Sequence, residues 1–467
     1  FIMKNFIISV LSLSFLISCS SGVGGEDSIE PNNSINEQWT QTFGGADREY
    51  GHSVQQTQDG GYIITGSTSS FGNGDSDVYL IKTDSNGNEL WTQTFGGIDR
   101  EYGHSVQQTQ DGGYIITGYY YNLESLGTNN NGNSVSQIFQ DIYLIKTDGS
   151  GNEIWSKTFE GLGNDLGNSV QQTNDGGYII TGSTYYFSNG ELGEQDIYLI
   201  KTDINGNEIW SKTFGETDSE YGSSVQQTND GGYIITGSTI SNSLNNWDSD
   251  VYLIKTDING NEIWSKTFGG TGFDSGSSVQ QTQDGGYIIT GSTSSFGNGN
   301  EDVWLIKTNI IGNEIWSKTF GGTGFDSGSS VQQTQDGGYI ITGSTYSFES
   351  NEDVWLIKTN INGNEIWSKT FGGTGFDSGS SAQQTQDEGY IITGSTSSFG
   401  NGNEDVYLIK TDGQGNITSV KEIPLLNTKR KLEKTINSQG QEVKHQINQP
   451  IIEIYDDCSV EKKVIIE

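Results

Sequence analysis

The stretch SSVQQTQDGGYIITGSTSSFGNGNEDVWLIKTNIIGNEIWSKTF, Ser277 to Phe320, contains four strand-sized runs: Ser277 to Thr282, Gly286 to Thr293, Asp302 to Thr308 and Asn313 to Phe320, here strands A, B, C and D. Gln-Asp-Gly-Gly joins A to B, and Asn-Gly-Asn joins C to D in most copies; both are hairpin signals. Runs such as Tyr-Ile-Ile and Val-Tyr-Leu-Ile are apolar on both faces, as in a sheet held between two other sheets. Seven copies, opening at Trp39, Trp91, Trp155, Trp210, Trp264, Trp316 and Trp367, repeat with a period of about 50 residues, which marks a closed propeller or a solenoid. Seven such units can close, and closure removes exposed end faces. We therefore expect an all-β fold over residues 38–423, a seven-bladed β-propeller of four-stranded antiparallel blades.

Composition agrees with the repeat. Hydrophobic content is 31%, low for a globular chain, but 66 glycines sit largely at fixed places in the repeat and suit many short strands between turns. The regular spacing of the aromatic residues argues against disorder. Fifty-nine acidic against 23 basic residues leave a net charge of −36, which excludes a nucleic-acid backbone as partner. All three prolines, Pro31, Pro424 and Pro450, lie outside the repeats, as continuous sheet requires.

The ends of the chain carry an address. Met3, the sole methionine and expected start, is followed by Lys4 and an apolar run from Phe6 to Ile17, short for a membrane span and right for a signal peptide. The run ends Leu16-Ile17-Ser18-Cys19, which resembles a bacterial lipoprotein cleavage box and implies lipid attachment at Cys19; an ordinary cleavage site is the alternative. Residues 20–37 form a polar tether. Cys458 is the only other cysteine, so no disulfide framework is implied.

The Trp-x-x-x-Phe-Gly-Gly, Gly-Tyr-Ile-x-x-Gly and Gly-Asn-x-x-Trp pattern from about Gln38 to Ile423 resembles the bacterial and archaeal β-propeller repeats. The resemblance implies a propeller in an extracytoplasmic setting and no particular activity. Lys201 to Trp210 is also similar to the tryptophan-docking motif of quinoprotein dehydrogenases, where the tryptophan packs between blades; eight blades and adjacent cysteines are wanting, so no cofactor is expected. Residues 424–467 form a tail for which we expect a short β-hairpin. From Lys431, and above all at Tyr455-Asp456-Asp457 and Val460 to Glu467, it resembles the sorting tail of Bacteroidota proteins exported by type IX secretion. A hairpin capping the propeller is the alternative.

Candidate site residues fall into two sets. Five residues before the valine or alanine of strand A stand Glu49, Glu101, Asp165, Glu220, Asp274, Asp326 and Asp377, one carboxylate per copy. Converging at a channel mouth they would attract a cation; the reading we adopt is structural, each accepting N–H bonds in its own glycine-rich loop. The C–D turn has calcium-like ligands, but Asn309 and Ile311 break the pattern, and no metal is expected there. The second set is asymmetric. Copies one and two alone carry Arg-Glu-Tyr-Gly-His, which places Arg48, Tyr50 and His52, then Arg100, Tyr102 and His104, in loop D–A, while Tyr119, Tyr120 and Tyr121, Tyr185 and Tyr186, and Trp247 mark loops B–C of copies two to four. Loops D–A and B–C leave a blade on one face, so this face is the expected ligand site.

We expect a monomeric, non-catalytic binding or scaffold module of the cell envelope or surface, reaching a membrane only through its lipid anchor or surface sorting, with a glycan or protein ligand. The rival is a propeller lyase or hydrolase acting on polysaccharide. Two propeller arginines are too few for a sialidase cluster, and Ser-His-Asp matches mean little where Ser and Asp abound.

Overall fold

The computed structural model describes residues 38–128, 134–161, 163–188, 191–215, 219–243, 246–348, 351–417, 432–437, 443–444, 450–455 and 460–464; the side chains of 123–138, 186–193, 241–247, 450–455 and 460–464, and those of 432–437 other than Thr435, are outside that description. The leader, Cys19 and the tether therefore lie outside the described residues. The chain divides into two compact units, Asn36–Ser419 and a second made of Phe1–Ile35 with Val420–Glu467.

The first unit is seven four-stranded antiparallel sheets, each ordered A-B-C-D, with the A strands adjoining one another around a ring. In blade 5 the strands are Asp274–Gln281, Tyr287–Thr293, Asp302–Thr308 and Glu314–Phe320. Strand A thus begins three residues before the expected Ser277. Asp274, Ser275 and Gly276 pair with Thr293, Ser292 and Gly291, and the register then shifts between Gly276 and Ser278. This bulge recurs in every blade and falls on His52 and His104 in blades 1 and 2. It breaks the period of two and hides the first half of the strand.

Strands B and C are buried on both faces because their neighbours feed different cores. Ile64 packs with Leu408 and Val406 of blade 7, whereas Ile63 packs with Val106 and Ile116 of blade 2. At every junction the strand D tryptophan of one blade meets the strand B tyrosine of the next edge-on, Trp264 on Tyr287 for example, with ring centroids 5.8–6.0 Å apart. The lysine ending strand C is buried in all seven blades. Its Nζ donates to the next residue's carbonyl and pairs at 2.9–3.1 Å with the aspartate of the A–B turn, as Lys82 does with Asp59. Partial burial works to raise the Asp59 carboxyl, but the Thr57 hydroxyl and Lys82 outweigh it and hold it below its ordinary value. Blade 7 has Glu388, at φ 66, where the other A–B turns have glycine, a strain on the order of 1 kcal/mol.

Strand A lines a central channel of about 220 Å³ walled by Val54, Gln55 and their counterparts. Each such glutamine side chain accepts the backbone N–H of the next blade's strand, Gln55 Oε1 from Gln108 N at 2.6 Å, and seven of these bonds run once around the axis to Gln56 N and Gln383 Oε1. The ring closes through chain ends: Trp39–Phe43 supplies strand D of blade 7, pairing Trp39 with Lys410 and Phe43 with Val406. The sequence holds eight D-like segments for seven blades, and Gln38 to Phe43 keeps the pattern's Trp39 and Phe43 whereas Asn416 to Ile423 has Ser419 at the tryptophan place; as that predicts, the partner of Asp405–Thr411 is the first segment and not the last.

The long connection between B and C in blade 2 is not a loop. Strand B runs Tyr114–Thr128 and strand C Ser134–Thr147, so the hairpin itself is extended; blades 3 and 4 are extended likewise. In the second unit the expected hairpin, Pro450–Tyr455 with Val460–Val464, gains a third antiparallel strand, Leu432–Asn437.

Candidate functional site

Connections D–A and B–C meet on one face, as Ser69 N donating to Arg48 O and Tyr121 N donating to Arg100 O show, each at 2.8 Å. On that face a cavity of about 660 Å³ opens across blades 7, 1 and 2, lined by Arg48, Tyr50, Arg100, Tyr102, Asp75 and Asn403 among others. Both arginines are paired: Arg48 Nε lies 3.6 Å from Glu404 and Arg100 Nε 3.2 Å from Asp75. The Tyr50 hydroxyl donates to Glu404, and burial followed by that carboxylate pushes its pKa up to about 12. Burial, then Tyr121, raises Tyr102. The cavity therefore offers forked donors, carboxylate acceptors and two tyrosine rings with little net charge, a set suited to hydroxyl-rich ligands.

Behind the tyrosines runs a chain of rings. Tyr50 stacks on His52 at 6.3 Å, His52 meets His104 at 5.1 Å, His104 meets Tyr119 at 5.2 Å, and Tyr119 stacks on Tyr102 at 5.1 Å. The histidines sit at the bulges of strand A, not in the loops where they were expected. Burial first, then His104, drives His52 down to about 3, and burial lowers His104. Asn168 fixes the tautomer of His104: its Nδ2 donates to Gly222 O at 2.7 Å, leaving Oδ1 to accept from His104 Nδ1 at 3.2 Å. Burial favours the neutral form of both imidazoles, so the basic character of this face rests on the arginines.

The other candidates disperse. Tyr119 and Tyr121 both touch Tyr102, but Tyr120, on the opposite face of the strand, packs on Tyr143 with its hydroxyl 3.5 Å from Glu160. Tyr185 hydrogen-bonds Tyr221 in the next blade, away from the cavity. The side chains of Tyr186 and Trp247 lie outside the described residues. Glu49, Glu101, Asp165, Glu220, Asp274, Asp326 and Asp377 are buried at the start of strand A and do not line the channel. Asp274 accepts from Gly270 N at 2.9 Å, Ser295 Oγ at 2.6 Å and the Thr293 hydroxyl. Sequence reasoning omits Asp75 and Glu404 from this face; Tyr50 and Tyr102, which Arg-Glu-Tyr-Gly-His places beside the arginines in loop D–A, stand instead in strand A.

No protein-family model and no curated protein matches this chain. Among solved structures it is similar to the polysaccharide lyase Uly1, at 12% identity and TM-score 0.47 over 82% of this chain and 93% of that one. It is also similar to Sqt1 from Chaetomium thermophilum, at 12% identity and TM-score 0.43 over 91% and 99%, and to a Bacteroides caccae protein of unknown function, at 11% and 0.40 over 70% and 94%. At such identities and scores these likenesses carry no function to this chain.

Proposed function

We propose that this protein is a non-catalytic, envelope-anchored or surface-exposed binding module whose cavity across blades 7, 1 and 2 takes a glycan. The observation carrying the reading is the break in sevenfold symmetry: Arg48, Tyr50, Arg100 and Tyr102 come together at one place on the ring. Paired arginines and carboxylates beside tyrosine rings suit sugar hydroxyls and the apolar face of a pyranose. The full chain should retain selected glycans on an array, and Arg100→Ala or Tyr102→Ala should each weaken binding about tenfold, the share of one stacked ring or charged donor, with Tm unchanged. Retention of proteins instead would select the protein-ligand form, and turnover of a bound polysaccharide would establish the enzyme reading in its place.

The anchoring half of the proposal rests on the lipoprotein-like leader. Cys19→Ala is expected to move the protein out of the membrane fraction; unchanged partition would remove the lipid anchor.

A further inference from the structure

At six blade junctions the first glycine after the strand D phenylalanine lies beneath two carboxylates, one opening strand C and one opening strand A of the next blade: Asp405 and Glu49 over Gly44, Asp77 and Glu101 over Gly96, and so on around the ring. Between blades 2 and 3, Glu160 takes the glycine's place. Most strand A carboxylates are well supplied with donors. Glu49 accepts from Gly45 N at 2.7 Å, Thr68 Oγ1 at 2.8 Å and Ser70 N at 3.0 Å. Asp165 and Asp377 each bury one oxygen without a partner, yet Asp165 keeps the Gly161 amide and Thr184, and Asp377 keeps the Gly373 amide and Ser398 Oγ.

Glu101 has lost this support. Its cross-strand neighbour is Tyr120, where Glu49 faces Thr68, and the Tyr120 hydroxyl is turned toward Glu160. Only the Gly97 amide remains as a donor lowering its pKa. Glu101 is 6% exposed, and its Oε2 is buried with no hydrogen-bond partner. A Cβ built on Gly96 would lie 2.2 Å from Asp77 Oδ1 and 2.4 Å from Glu101 Oε2, so the two oxygens flank the same spot and are no farther apart than those distances together. Two buried carboxylates this close do not both stay ionised without a counter-charge.

We propose that the Asp77–Glu101 pair holds a hard divalent cation of the calcium class, bridging blades 1 and 2. Carboxylate oxygens suit calcium, and its irregular shell takes water for the remaining places, whereas two ligands from separate blades set no octahedral frame for magnesium. A net charge of −36 raises the local cation concentration.

The test is calorimetric titration of the chelator-treated full chain with calcium chloride, followed by thermal unfolding; it uses the ion alone and is independent of the glycan reading. Calcium should bind with Kd on the order of 10⁻⁴–10⁻³ M, as in extracellular calcium modules, and raise Tm by about 2 °C at tenfold excess over Kd. Glu101→Gln should lose this binding event. Tyr120→Thr, which returns the residue used by blade 1, should keep the fold and weaken binding about fivefold, because the new hydroxyl would engage the carboxylate as a charge-assisted donor. No calcium response in the native chain, or the same response in both variants, overturns the proposal. A second overturning outcome is specific. Burial first, with Asp77 and Asp99, raises the Glu101 carboxyl to about 7, so a shared proton would instead make stability rise as pH falls through that value, without calcium and not in Glu101→Gln.

Discussion

Deleting residues 38–43 is expected to abolish the folded propeller. Trp39–Phe43 is strand D of blade 7 although the chain runs on from it into strand A of blade 1, and its five cross-strand pairs, Trp39↔Lys410 to Phe43↔Val406, tie the first blade to the last. Phe43 is buried with Val406, Leu408 and Ile64, and Trp39 packs against the same cluster and meets Tyr62 edge-on. Losing a buried phenylalanine alone costs about 3–5 kcal/mol, against total stabilities of about 5–15 kcal/mol. The deletion also bares Asp405–Thr411, whose Val-Tyr-Leu-Ile run would become an open apolar edge and a template for association. Size-exclusion chromatography should show aggregated or degraded material, and Phe43→Ala a monomer with reduced Tm. A monomeric deletion variant with unchanged Tm would show that ring closure does not depend on the N-terminal strand.

The propeller is legible because the repeat states its own boundaries. Strands B to D carry apolar runs bounded by Asp-Gly-Gly and Asn-Gly-Asn, and the choice between two D-like segments follows from Trp39 and Phe43 against Ser419. Strand A is half hidden for a physical reason: the bulge at its fourth residue inverts the alternation, so Glu49, Tyr50 and Gly51 read as loop while they pair with Thr68, Ser67 and Gly66. The same misplacement puts His52 and His104 in a loop, when they stand on the channel-side strand as neutral rings.

The cavity is less legible because its acceptors come from elsewhere in the chain. Tyr50 bonds a glutamate 354 residues away, a contact made only by closing the ring. Tyr120 could be separated from Tyr119 and Tyr121 by strand alternation alone, once the hairpin is known to continue through them. The buried lysines are invisible for a different reason. Lys-Thr-Asp reads as the polar end of a strand, and nothing local shows that Lys82 Nζ turns back beneath the A–B turn to Asp59.

Gly291→Ala is expected to destabilise the propeller by about 3 kcal/mol or more, the upper range for inserting an atom where packing cannot yield. A Cβ at Gly291 would lie 1.7 Å from Ser275 O and 2.7 Å from Ser275 C, both backbone atoms of the facing strand A, so no rotamer change relieves the overlap. The approach follows from the bulge, which draws strand A onto strand B at Gly276 and Gly291. Gly276 in turn faces the previous blade, where its Cβ would meet Gly237 O at 2.9 Å and Thr236 Oγ1 at 2.5 Å. One glycine thus sets the spacing within a blade and the other the spacing between blades, and both recur at the corresponding positions of all seven copies, as at Gly51 with Gly66 and Gly379 with Gly394. Gly97→Ala is the control, since its Cβ would meet nothing nearer than Glu101 Oε1 at 3.7 Å. Denaturant unfolding should separate the two variants clearly. Equal stabilities would mean that strands A and B can part at the bulge without disturbing the ring, and the spacing argument would fail.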